Sequence, residues 1–175
     1  MSFFETERLI FRNWCQSDLP YYIELNRNEE VRKYFPDVLS KERSELIFDM
    51  MQNEIESTKL GLFAVTLKDG SFIGFIGSLL MQEDTFIPYS PFYEIGWRLL
   101  PEYWGKGYAT EGAQGLLKYM QKLNISYAYA YTSVHNHESL NVIKKLNMEK
   151  LTTFHHPVYR NGEQVLFRRA LHDTY

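Results

Sequence analysis

The sequence predicts a mixed α/β (α+β) fold, a largely antiparallel central sheet of about seven strands with helices on its faces. Three observations carry that expectation. Short runs rich in β-branched and aromatic residues are joined by tight-turn signals, Asp69-Gly70 and Arg160-Asn161-Gly162, which mark antiparallel hairpins. Longer segments repeat apolar residues at helical spacing. The two patterns interleave in the order β-α-α-β-β-β-α-β-α-β-β. No low-complexity stretch, repeat or linker divides them, so residues 1–175 are expected to form one domain.

Taken in order, Glu7 to Trp14 alternates well enough for a first strand. Asp18 can cap a helix opening at Leu19-Pro20, where a proline is tolerated. That helical region is expected to continue, with a break, to about Tyr34, where Phe35-Pro36 stops it. Ser40 is the expected N-cap of a second helix, with Leu46, Ile47, Met50, Met51 and Ile55 on one face. Leu62–Leu67 and Phe72–Met81 flank the Asp69-Gly70 turn, and Tyr93–Leu100 supplies a fourth strand. The next helix groups Ala109, Ala113, Leu116, Leu117 and Met120. Its Gly112 and Gly115 would let it lie close to a sheet, at some cost in helix propensity. Tyr127–Tyr131 alternates strictly as YAYAY, a fifth strand whose tyrosine face reads as packing. A short helix from His137 to Leu146 follows, and Asn147 can close it in a left-handed conformation. Glu149–Tyr159 and Gln164–Leu171 are the closing strands.

Composition narrows the function. A net charge of −3 argues against general nucleic-acid affinity. The early Glu and Arg of MSFFETERLIFRNW do not suit a secretory signal, and no apolar run reaches the ~18 residues that span a bilayer. The single Cys15 precludes an internal disulfide framework. These features lead to the expectation of a cytoplasmic protein without membrane or nucleic-acid partners. His135 and His137, and the adjacent His155 and His156, lack an indicated third ligand, so no metal is expected.

One stretch, EIGWRLLPEYWGKGYATEG at Glu94–Gly112, runs from a strand through two glycines into a helix. Such a turn aims free backbone N–H groups from the positive end of a helix, a setting that suits phosphate or pyrophosphate. A Walker A loop fails because Tyr108 follows Gly107 where Lys and Ser/Thr are needed. A dinucleotide fold fails because this turn follows the fourth strand and antiparallel hairpins precede it.

From Glu5 to about Leu171 the chain resembles the Gcn5-related N-acetyltransferases, and within them the ribosomal-protein alanine N-acetyltransferase branch. The strand EIGWRL, the run PEYWGKGYATE and the segment NHESLNVIKKLNM carry the resemblance. The family turn, Gln/Arg-x-x-Gly-x-Gly/Ala, falls on Trp104, Gly107 and Ala109, with Trp104 departing from it. The resemblance implies the family's acyl-CoA fold, with a splay between the fourth and fifth strands, and acetyl-CoA as donor. Its pyrophosphate would rest on Trp104, Gly105, Lys106, Gly107, Tyr108, Ala109 and Thr110. A β-carbon at either glycine would hold the phosphates off the backbone. The pantetheine arm would run along the strand at Trp97, Arg98 and Leu99 and meet Asn136, which would otherwise be a helix N-cap.

Acetyl transfer to an amine needs a base, a donor to the thioester carbonyl and, optionally, an acid for the departing thiolate. The resemblance places the base at Glu94 and the carbonyl donor at the amide of Trp97 or Arg98. The tyrosine that many relatives use as acid is replaced by Ile143, and the branch's alternative, a serine in Asn-x-x-Ser, falls on Ser139. Acceptor contacts are expected from Tyr34, Phe35 and Asp37 and from the loop between Asp84 and Phe92. The expected reaction acetylates a primary amine, first a protein N-terminal α-amine. A small amine (polyamine, amino acid or aminoglycoside) stays open as acceptor, as do a homodimer and a non-catalytic acyl-CoA sensor.

Overall fold

The computed structural model describes residues 1–159 and 162–172. Its strands are β1 (Ser2–Glu5), β2 (Leu9–Arg12), β3 (Leu62–Leu67), β4 (Phe72–Met81), β5 (Phe92–Leu99), β6 (Tyr127–Ser133), β7 (Glu149–Phe154) and β8 (Gln164–Ala170). Its α-helices are α1 (Leu19–Arg27), α2 (Lys41–Thr58), α3 (Tyr108–Lys122) and α4 (His137–Lys145). All eight strands join one sheet in the order β1-β2-β3-β4-β5-β6-β8-β7. Every neighbouring pair is antiparallel except β5 and β6, which are parallel and share one registered pair, Glu94 with Tyr129.

The eighth strand is the short β1, which precedes the expected first strand and pairs with it across a bulge. Phe4 stacks on Phe11 and Tyr119 there, at centroid distances of 4.2 and 4.7 Å. Two further expectations are corrected. Asp18 makes no side-chain cap for α1. Its carboxylate instead takes a bidentate bond from Arg12 (2.7 and 3.0 Å) and one from the Cys15 amide (2.9 Å), a geometry that favours Arg–carboxylate pairing. The first helix stops at Arg27, not near Tyr34, because Asn28 Oδ1 accepts from the amides of Glu30 and Val31 (3.0 and 3.1 Å). A side-chain acceptor that competes for backbone donors favours turns over helix. The hairpin signal at Arg160-Asn161-Gly162 lies outside the described residues in its first two positions.

Helices cover both faces. On one, Gly112 lets α3 approach the sheet so closely that a β-carbon there would collide with Ile76 and crowd Phe11. On the other, Tyr22 of α1 and Phe48 of α2 close over Trp14, with Tyr22 also against Phe75. Ser40 caps α2 as expected, accepting from the Arg43 amide at 3.1 Å. Large buried side chains fill both faces of the central strands, and between β5 and β6 the ladder narrows to a single registered pair.

Candidate active site

The glycine turn is built as a nest of amides. Gly105 and Gly107 take positive φ angles of 72° and 81°, which an L side chain enters only with strain. Gly107 stands as the N-cap of α3 and offers no side chain to it. From Gly105 to Thr110 no backbone N–H finds an acceptor among the described residues. Trp104 does not belong to this set, because its amide is held by Pro101 O (3.1 Å) and its indole by Leu99 O (2.9 Å). Lys106 is turned over the Tyr103 ring at 5.8 Å. Arg8 flanks the nest. It donates to Lys106 O (3.0 Å), lies over Tyr108 and pairs with Glu111 at 2.6 Å.

A cavity of about 860 Å³ opens from this nest into the gap between β5 and β6. Beyond Glu94 and Tyr129 the strands diverge, so the edge of β5 that faces the gap is unpaired. Glu94, Trp97, Arg98, Leu99, Trp104, Gly105, Gly107, Tyr108, Ala109, Thr110, Asn136 and Ser139 line the cavity, together with Tyr34 and Phe35. Lys106 and Asp37 lie outside its lining, as does the whole loop from Asp84 to Pro91. Asp84 is instead engaged with His156 at 3.1 Å.

Glu94 borders the cavity without a hydrogen-bond partner among the described residues. Burial disfavours its charge and pushes its carboxyl up to about 8. Asn136 spends both ends of its amide on the fold: Oδ1 caps α4 through the Ser139 amide (3.2 Å) and Nδ2 donates to Thr132 Oγ1 (3.1 Å). Ser139 lines the cavity, and its Oγ has no partner among the described residues. Tyr34 acts as a strap, its hydroxyl donating to His135 O at 3.1 Å and tying the α1–α2 segment to the start of α4.

Residues 8–149 match the family described as the acetyltransferase (GNAT) domain. The chain belongs to the GNAT acetyltransferases. It is 30% identical over 83% of its length to an uncharacterized N-acetyltransferase, YnaD, of Bacillus subtilis, covering 81% of that protein. A GNAT-family acetyltransferase structure from Bacillus anthracis superposes with a TM-score of 0.79 at 25% identity, over 95% of this chain and 97% of that one. The same fold appears in a RimL ribosomal L7/L12 α-N-protein acetyltransferase with coenzyme A (TM-score 0.78, 16% identity, 97% and 98% covered). It appears again in a spermidine N-acetyltransferase of Vibrio cholerae with CoA and spermine (TM-score 0.73, 18% identity, 93% and 95% covered).

In this GNAT chain the cavity also holds side chains that sequence reasoning did not assign. Tyr131 reaches it from the YAYAY strand, and its hydroxyl meets that of Tyr159 at 3.1 Å. Burial, then the nearby Glu94, drives the Tyr131 phenol strongly up, so it stays protonated and keeps a proton to donate. Alternation placed Tyr131 on one face. Only the parallel alignment of β6 beside β5 turns that face toward Glu94. The Arg98 side chain, expected to contribute only backbone, also enters the cavity.

Proposed function

We infer that this GNAT acetyltransferase uses acetyl-CoA as donor and transfers its acetyl group directly to a primary amine. The residues present suit such a donor. Six consecutive amides at the start of α3 match a pyrophosphate, and the unpaired β5 edge matches the amide-bearing pantetheine arm. When bound, acetyl-CoA supplies an activated acyl carbon on a thiol leaving group. The amides of Trp97 or Arg98 serve as donors to the carbonyl oxygen as charge gathers there. The new N–C bond forms as the C–S bond breaks. Ser139 serves as proton donor to the departing sulfur, and Tyr131, which lines the same cavity, is a second hydrogen-bond donor.

Glu94 carries the reading. An amine attacks only after losing its proton, and a carboxyl pushed up to about 8 is a better base toward an α-amino group of pKa near ~8 than an ordinary carboxylate. A lysine-like amine near ~10.4 would have to be deprotonated uphill by about two units. The match supports a protein N-terminal α-amine as acceptor over an alkyl polyamine. Thiol release from acetyl-CoA with a panel of peptide N-termini and small amines tests both levels. Acceptor-dependent release is expected, faster with peptides. Tight cofactor binding without release by any amine would make the protein an acyl-CoA sensor instead.

A further inference from the structure

Arg98 is out of keeping with a pocket built only for an amine. It stands on the same face of β5 as Glu94, two residues beyond Gly96. Gly96 leaves that face bare: a β-carbon there would meet nothing within 4 Å. A glycine inside a strand, with open space above it, marks a place for close approach by a ligand. At the far end of this slot the Arg98 guanidinium lies between two rings, 4.2 Å from the Phe35 centroid and 5.1 Å from that of Phe75. Its Nη1 donates to Asn26 Oδ1 at 3.1 Å, its Nε is buried without a partner, and no carboxylate among the described residues pairs with it. Arg98 keeps some accessible surface because one side borders the cavity, while protein encloses the guanidinium elsewhere. Arg32 sits 5.0 Å from the same Phe35 ring and lines the same cavity, with its Nε held by Asp37 O at 2.7 Å.

Two guanidiniums sharing one aromatic ring repel each other. Burial and then Arg32 push Arg98 down to about 9, so it remains charged at neutral pH. Leaving a buried cation without a counter-charge is costly. That cost is relieved when a ligand brings an anion.

We propose that the acceptor amine carries a carboxylate, which Arg98, with Arg32 beside it, binds at the Phe35–Phe75 end of the slot while the amine lies toward Glu94. This deepens the proposed function and rests on it. Four residues of strand separate the Cα atoms of Glu94 and Arg98 by ~13 Å, and the two side chains close only part of that span. The carboxylate therefore sits several ångströms from the amine. That spacing fits an acidic side chain just after a peptide N-terminus, or a short ω-amino acid, and excludes an α-amino acid. A polyamine would place a second cation against the arginines.

The test compares tripeptides bearing Asp, Asn or Lys at the second or third position, and 5-aminopentanoate against 1,5-diaminopentane. Binding to the CoA-loaded protein is read by calorimetry, and turnover by thiol release. The carboxylate-bearing member of each set should bind at least tenfold tighter than its neutral or cationic counterpart. The set with the larger preference identifies peptide or small molecule as the source. Arg98→Met should reduce the preference to within about twofold and Arg98→Lys should restore part of it. Inhibition of the unaltered protein by glutarate but not by 1,5-diaminopentane supports the carboxylate site without a variant. Equal binding of charged and neutral acceptors, or a carboxylate preference that Arg98→Met leaves intact, overturns the proposal. Arg98-dependent carboxylate binding with no thiol release would leave this inference standing and remove the acetyl-transfer reading.

Discussion

Glu94 is the residue at which structure and chemistry constrain each other most. A carboxyl held near 8 is protonated in most molecules at neutral pH, so the rate should climb toward pH 8 and then level. Glu94→Gln should lower kcat by about 10²- to 10⁴-fold, abolish that limb of the pH profile and leave CoA affinity alone. An unchanged profile would remove Glu94 from the base role. The same shift has a consequence for stability. Between its usual 4.5 and about 8, the unfolded chain has lost the Glu94 proton while the folded protein keeps it. Stability from this group is therefore full below pH 4.5 and falls as pH rises through about 8. Glu94→Gln removes the dependence, so the variant should melt above the parent at pH 8.5 and alongside it at pH 4.5, as a melting series at the two pH values would read. Position in the motif strand was enough to single out Glu94. Its environment was not legible, because Glu94 is enclosed beside β6, where Tyr129 pairs with it and Tyr131 lies near, and the chain order alone does not set that strand next to β5. The same holds for Arg98: strand periodicity gives its face, but not the rings of Phe35 and Phe75 that enclose it.

At the scale of elements, the turn before α3 joins two demands that can be separated by experiment. Gly107 and Gly70 both hold positive φ, 81° and 91°, and both would be strained by alanine by roughly 1–2 kcal/mol. Only Gly107 adjoins the free amides; Gly70 turns the β3–β4 hairpin into open space. Gly70→Ala should lower the melting temperature and leave CoA binding unchanged. Gly107→Ala should cost comparable stability and also weaken CoA at least tenfold, more so as Gly107→Val, by calorimetry. Equal CoA affinity in all of these would move the phosphates elsewhere. Elements of this kind were readable because their signals are local: glycines, an alternating strand, a serine cap at Ser40. The misread ones depend on competition or on partners. Asn28 ends α1 through side-chain bonds that a periodicity count does not weigh. The short β1 exists because Phe4 finds Phe11 and Tyr119, the latter more than a hundred residues away.

Across the whole molecule the sheet is one continuous ladder with a single weak seam. β1 through β5 form an antiparallel block, β6, β8 and β7 form another, and the two meet through one registered pair, Glu94 with Tyr129. Helix α3 packs on the first block and against α4 of the second, and Tyr34 reaches across to His135. A donor lying in the seam would bond the β5 edge and the α3 amides while filling the gap to β6, so it would bridge the blocks instead of merely occupying a pocket. Linkage then requires CoA at a hundred times its dissociation constant to add ~2.7 kcal/mol, a rise of roughly 5–10 °C in melting temperature for a chain of this size. Hydrogen exchange localises the gain. Protection should increase in Ile95–Leu99, in Gly105–Thr110 and in the β6 edge, and remain level in the β7–β8 pair, which lies away from the gap on the far side of β6. Protection that rose evenly over both blocks would mean that the ligand acts on global stability without entering the seam. Protection confined to Gly105–Thr110 would place the phosphates in the nest but leave the acyl arm outside the sheet, and Glu94 would then be out of reach of the reacting carbon.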